Sequence, residues 1–149
     1  MIALASDHVG YNLKIEIGAM LADTGVSCRD VGAFSCDPCD YPVFGAKACA
    51  EVSAGTCQAA VLVCGTGVGM SIVANKTPGI RCVVCSEPYS ATLAKQHNDA
   101  NALALGARVV GSELAKMIVT HWLEAAYQGE RHQRRVDMIA AIEQGRDIG

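Results

Sequence analysis

Positive charge is scarce in this chain of 149 residues: twelve Lys and Arg stand against fifteen Asp and Glu, a net charge of −3. No global field is available to gather nucleic acid or an anionic bilayer, so neither is an expected partner and any anion must be caught locally. Long apolar runs are missing too. The longest stretch, Ala59 to Ala74, is broken by Gly65, Thr66, Gly67, Gly69 and Ser71, which excludes an unbroken membrane-spanning helix. The start has no basic leader and its apolar run stops at Ser6-Asp7, so no secretory signal is expected and the expected compartment is the cytoplasm. Charged residues make up only 18%, against 51% hydrophobic, which is the reverse of a disordered composition. Repeats, low-complexity tracts and linkers are also lacking, so residues 1–149 read as one domain.

Cysteine, by contrast, is abundant, with eight residues. In a reducing compartment these are expected to remain thiols, so their even number is not a disulfide framework.

Apolar runs alternate with helical periodicity, which predicts an α/β fold: a single-domain, doubly wound, five-stranded and mainly parallel sheet, Rossmann-like, with helices on both faces. The expected strands are Ile2–Ala5, Val26–Val31, Ala59–Cys64, Arg81–Cys85 and Ala102–Leu105, the third being the most hydrophobic and hence central. Between them, Leu13, Ile17, Met20 and Leu21 mark a helix ending at Gly25, and Phe44, Ala48 and Val52 one ending at Gly55. A third helix follows the glycine-rich turn and ends before Pro78. Ser86 is the expected cap of a helix over Pro88–Gln96. Ser112 is expected to cap a long helix that ends at Gly129, with Leu114, Met117, Ile118, His121, Trp122 and Ala125 on its apolar stripe. A last amphipathic helix spans about 131–144, its edge formed by Val136, Ile139 and Ile142.

In such folds ligands bind outside the carboxyl ends of the strands, so function is sought in the segments after each strand. Cys64-Gly65-Thr66-Gly67-Val68-Gly69 joins the third strand to a helix. Residues without Cβ let backbone N–H groups approach an anion there, and the plain alternative is a tight turn that needs positive φ. A dinucleotide site fits poorly, because the third glycine is misplaced and the motif follows the third strand rather than the first. Cys64 opens the turn; it is either a nucleophile or base, or a small buried hydrophobe. Cys36-x-x-Cys39 and Cys82-x-x-Cys85 have a zinc or redox spacing, but the gap between the pairs is too long for a zinc ribbon. The second pair also sits in a strand, whose side chains point to opposite faces. Asp7-His8 and His97-Asn98-Asp99 offer proton carriers, or merely helix caps. Arg131 and Arg135 share one helix face and suit a phosphate, or form a solvated basic face.

Ser-Asp-His-Val-Gly at 6–10, Asp-Tyr-Pro at 40–42, Cys-Gly-Thr-Gly-Val-Gly-Met-Ser at 64–71, Gln-His-Asn-Asp-Ala-Asn at 96–101 and Gly-Glu-Arg-His-Gln-Arg-Arg-Val at 129–136 together resemble the type B ribose-5-phosphate isomerases. Their wider group includes allose-6-phosphate and galactose-6-phosphate isomerases. The resemblance spans essentially the whole chain. It implies aldose–ketose isomerisation of a sugar phosphate through an enediolate, without metal or organic cofactor. It also implies Cys64 as the base, His97 as the group that opens the furanose ring, and Thr66 beside the base. Asp7, His8, Gly65, Gly67, Val68, Gly69, Asn98, Arg108, Arg131 and Arg135 fall at substrate-contacting positions. A homodimer, or a dimer of such dimers, is implied, with the last helix at the subunit boundary. Met70 stands where some relatives carry a glutamate base, which places this sequence with the cysteine users; one departure stands out, Glu130, where many relatives carry glycine before the arginine. The resemblance implies D-ribose 5-phosphate and D-ribulose 5-phosphate as the pair interconverted; an allose-6-phosphate or galactose-6-phosphate isomerase, a nucleotide-binding module without chemistry and a thiol redox or zinc protein are the competing readings.

Overall fold

The computed structural model describes residues 1–149. Five strands, β1 (Ile2–Ser6), β2 (Cys28–Asp30), β3 (Ala59–Cys64), β4 (Cys82–Val84) and β5 (Ala102–Gly106), form one sheet in the order β2-β1-β3-β5-β4. Every pairing is parallel, so the expected mainly parallel sheet is parallel throughout. The most apolar segment, β3, is central and fully buried. Six helices complete the chain: α1 (Tyr11–Asp23), α2 (Tyr41–Ser53), α3 (Val68–Ala74), α4 (Pro88–Asn98), α5 (Ser112–Glu124) and α6 (Arg131–Glu143).

Side-chain alternation along each strand divides the interior into two clusters. Val61 and Val63 pack with Leu13, Ile17, Ile118 and Trp122 from α1 and α5 on one face. Ala60, Leu62 and Cys64 pack with Ala48, Met70 and Ala74 from α2 and α3 on the other. Cys82 and Cys85 fall on opposite faces, which prevents them from acting as a pair.

Several local expectations change. Strand β2 is shorter than 26–31, because Gly32, at φ +111°, takes the chain out of the extended conformation just beyond Asp30. Glu87 rather than Ser86 caps α4; its carboxylate accepts the Ser90 N–H at 2.9 Å, and Pro88 follows at the first helical position. Gly111 rather than Ser112 caps α5, and the Ser112 hydroxyl donates to Glu16 instead. That helix stops at Glu124, not Gly129, because Ala125 turns to an extended conformation with ψ 138°. Its buried stripe is Ala115, Ile118, Val119 and Trp122, so Leu114, Met117 and His121 face solvent.

Candidate active site

From β1 the chain crosses outward to β2, and from β3 it crosses the other way toward β4 and β5. The two crossovers therefore diverge at the carboxyl ends of β1 and β3, the position at which doubly wound sheets bind ligands. Asp7 and His8 leave β1 there. Asp7 is buried, with one carboxylate oxygen accepting the Gly10 N–H at 2.8 Å, which fixes the turn into α1. His8 Nδ1 accepts the Cys39 N–H at 3.2 Å.

Beside them, Cys64 ends β3 and its Sγ accepts the Gly67 N–H at 3.1 Å. Two glycines make this contact possible. Gly67 has φ +79°, and a Cβ there would come within 3.0 Å of the Leu105 carbonyl carbon. A Cβ on Gly106 would meet the Thr66 backbone at 2.7 Å, so the turn lies directly on the end of β5. The Thr66 hydroxyl accepts the Val68 N–H at 3.3 Å, and Arg108 N–H donates to Gly65 O at 3.0 Å, which brings a guanidinium-bearing segment to the rim. The Tyr41 ring lies against Gly69.

Electrostatics separates the thiols. Burial pushes Cys49 and Cys85 up to about 11 and Cys82 up to about 12, and it raises Cys28 and Cys57 as well. These five remain protonated near neutral pH and are unsuited to proton abstraction. Cys64, 5% exposed, is the one thiol whose sulfur accepts a main-chain N–H.

A second cluster forms at the opposite edge of the sheet. Each crossover helix runs antiparallel to the strands, so the end of α4 lies beside the start of β5, where Asn101 O accepts the Ala60 N–H at 3.0 Å. His97 and Asn98 sit at that end. The first turn of α6 brings in His132, whose ring stacks on His97 with centroids 4.1 Å apart and an interplanar angle of 6°. Arg131 Nε donates to His132 Nε2 at 3.4 Å. Burial first, then His97, Arg131 and Arg135, lower the His132 pKa below its ordinary value. Arg131, Arg134, Arg135 and Met138 line a recess of about 520 Å³.

The residues singled out in the sequence therefore form two groups. Asp7, His8, Gly65, Thr66, Gly67, Val68 and Gly69 gather around Cys64, with Arg108 at the rim, while His97, Asn98, Arg131 and Arg135 gather at the far edge. Ala60 to Cys64 spans roughly 13 Å of strand, so one chain cannot bring His97 to Cys64. His132 was not among the candidates, although its burial on a polar helix start and its place between two arginines mark it out. The contacts of Tyr41 and Cys39 have no sequence signal, because they join separate segments. No three His, Cys, Asp or Glu side chains cluster as a metal site requires, and no helix is long and apolar enough to cross a membrane.

Comparison with known proteins agrees with this architecture. The model of the ribose/galactose isomerase family matches residues 2–139. Ribose-5-phosphate isomerase B of Escherichia coli is 56% identical over 146 residues, 98% of each chain. Among solved structures, Clostridium thermocellum ribose-5-phosphate isomerase B superposes with a TM-score of 0.95 at 49% identity, covering 97% of each chain. The Mycoplasma genitalium ribose-5-phosphate isomerase B, solved with bound ribulose-5-phosphate, gives a TM-score of 0.92 at 36% identity, covering 96% of this chain and 95% of that one.

Proposed function

The chain belongs to the ribose/galactose isomerase family, and from that premise we propose that it interconverts D-ribose 5-phosphate and D-ribulose 5-phosphate in the cytoplasm, needing neither metal nor organic cofactor. The observation that carries this reading is the Gly67 N–H aimed at Cys64 Sγ at 3.1 Å, at the switch point of the sheet. Moving a proton between C2 and C1 places negative charge first on the base and then on the enediolate oxygen. Cys64 takes the proton, and the amides of Gly65, Gly67, Val68 and Gly69 supply donors for the developing charge. Asp7 and His8 hold sugar hydroxyls beside Thr66.

His97 opens the furanose ring, Asn98 orients the sugar, and Arg108, Arg131 and Arg135 hold the phosphate. The separation of the two clusters gives this assignment a structural requirement: the working site joins Cys64 of one subunit to His97, Asn98, Arg131 and Arg135 of a second copy. Uncovered apolar side chains support that assembly. Val68, Ile72 and Val84 beside the cradle are 49%, 55% and 43% exposed, and Ile139 and Ile142 on α6 are 43% and 58% exposed. A homodimer that seats α6 against its partner covers both patches.

The test is a coupled isomerisation assay comparing 5-phosphopentoses with 6-phosphohexoses, on the wild type and on Cys64→Ala. The pentose is expected to be preferred, and the variant is expected to fold normally while kcat falls by several orders of magnitude. Retention of more than about a tenth of the activity would remove Cys64 as the base.

A further inference from the structure

Cys36-Asp37-Pro38-Cys39, in the loop between β2 and α2, has no part in the proposed reaction. The base of that loop is fixed: Ser6 N–H donates to Gly32 O at 2.6 Å, and the buried Lys14 Nζ donates to Ala33 O at 2.6 Å. From Ala33 to Asp40 there is neither strand nor helix, and residues 34–38 are exposed. Cys36 meets solvent, with Sγ 3.9 Å from Asn12 Oδ1. Cys39 is half-buried; its N–H donates to His8 Nδ1 at 3.2 Å, and its Sγ lies 3.9 Å from the same nitrogen. An exposed thiol, Cys36, thus stands three residues from a second thiol, Cys39, that is fastened to a residue assigned above to the sugar. The zinc alternative lacks ligands, since His8 lies beside Cys39 alone and no three His, Cys, Asp or Glu side chains cluster here.

We propose that Cys36 and Cys39 are a thiol-modification site for low-molecular-weight disulfides, and that closing them into an intramolecular disulfide weakens substrate binding through His8. The Cys36 thiolate attacks one sulfur of a disulfide RSSR, forming a mixed disulfide as the original S–S bond breaks and RS⁻ departs. Cys39 then attacks the Cys36 sulfur and expels a second RS⁻. The protons of the two cysteines end on the two departing thiolates; the dithiol loses two electrons, and RSSR becomes two RSH. Access decides which thiol reacts first, because Cys36 is exposed while Cys28, Cys49, Cys57, Cys82 and Cys85 are pushed toward the unreactive thiol form by burial. Ring closure demands specific Cα and Cβ geometry between residues 36 and 39. Meeting it draws Cys39 toward Cys36 and disturbs both of its contacts with His8 Nδ1. The cradle around Cys64 is untouched, so the effect falls on KM more than on kcat.

This inference rests on the reading that His8 contacts the sugar. The wild type and Cys36→Ser are incubated with glutathione disulfide, assayed for isomerisation, and mapped by peptide mass spectrometry. The expected result is a Cys36–Cys39 disulfide peptide, a KM for ribose 5-phosphate raised about threefold or more, recovery with dithiothreitol, and no change of KM in Cys36→Ser. An equal loss in Cys36→Ser, modification confined to Cys64, or a Cys36–Cys39 disulfide with unchanged KM overturns the proposal. If the reduced protein lacks isomerase activity, the function assigned above fails separately. Formation of the disulfide peptide then still supports the modification site, and its absence overturns it.

Discussion

Two inactive variants of this chain should restore each other. In one chain Cys64 stands at the carboxyl end of β3, while His97 lies beyond the amino end of β5, beside the Asn101–Ala60 hydrogen bond. The four residues from Ala60 to Cys64 alone account for roughly 13 Å, whereas proton transfer requires a donor and acceptor about 3 Å apart. If Cys64 is the base at C1 and C2 and His97 the acid at the adjacent ring oxygen, as proposed, the two must lie within a few ångströms of each other and must come from different subunits.

In a two-fold dimer each site then takes Cys64 from one copy and His97 from the other. Cys64→Ala and His97→Ala homodimers each carry a lesion in both sites. In a mixed dimer both lesions fall into one site and the other is intact. Random exchange of equal amounts makes about half of the dimers mixed, with one working site in two, so activity should rise to about a quarter of wild type. The measurement is a coupled isomerase assay after the two variants are mixed, unfolded and refolded, against each refolded alone. If the mixture never exceeds the sum of its parents while mixed dimers are demonstrated by mass, the two groups act within one chain and the composite site is wrong.

His97→Ala should slow isomerisation of ribose 5-phosphate far more than that of a four-carbon aldose phosphate, which has no free hydroxyl with which to close a furanose; equal losses on both would refute ring opening by His97. His132 has a folded-state pKa lowered below its ordinary value of 6.5, so the unfolded chain binds more protons just below that pH. Its contribution to stability is therefore fully present above about pH 6.5 and is lost as pH falls through the lowered value. Urea midpoints measured across this range should show that slope in the wild type, and His132→Phe, which keeps a ring against His97, should flatten it. Glu130 adopts φ +46° at the start of α6, a conformation that favours glycine. Relief of that strain outweighs the added freedom of the unfolded chain, so Glu130→Gly should stabilise the protein by up to about 1 kcal/mol in urea unfolding. A loss of stability would show that the Glu130 side chain is worth more than its backbone strain.

The glycine cradle was legible because its requirements are local. Gly-x-Gly-x-Gly after the most apolar strand states that the backbone must turn with positive φ, and Gly67 does so. The third strand proved central for the same reason, since a run from Ala59 to Cys64 without a polar residue has to be covered on both faces. Helix caps were read less well. Ser86 and Ser112 are good cap types, but Glu87 and Gly111 occupy those places, because several polar residues compete at each boundary and the approach of the chain decides among them. The stripe of α5 shifted by one position because Leu114 and Ala115 both satisfy helical spacing, and only the direction from which the sheet approaches chooses between them.

The sequence by itself determined the alternation of strands and helices, the glycine cradle, the family to which the chain belongs and the residue types available for chemistry. Each of these is written in near-neighbour patterns with periods of two or 3.6 residues, or in fixed motifs. Tertiary structure decided which residues share an edge of the sheet. Cys64 ends a strand and His97 ends a helix that runs the other way, so the fold carries them to opposite edges although both follow regular elements. It also decided that Cys39 meets His8 and that His132 stacks on His97. Those contacts close across 31 and 35 positions of chain, beyond the reach of any local periodicity, and they exist only once the sheet has fixed where each loop begins.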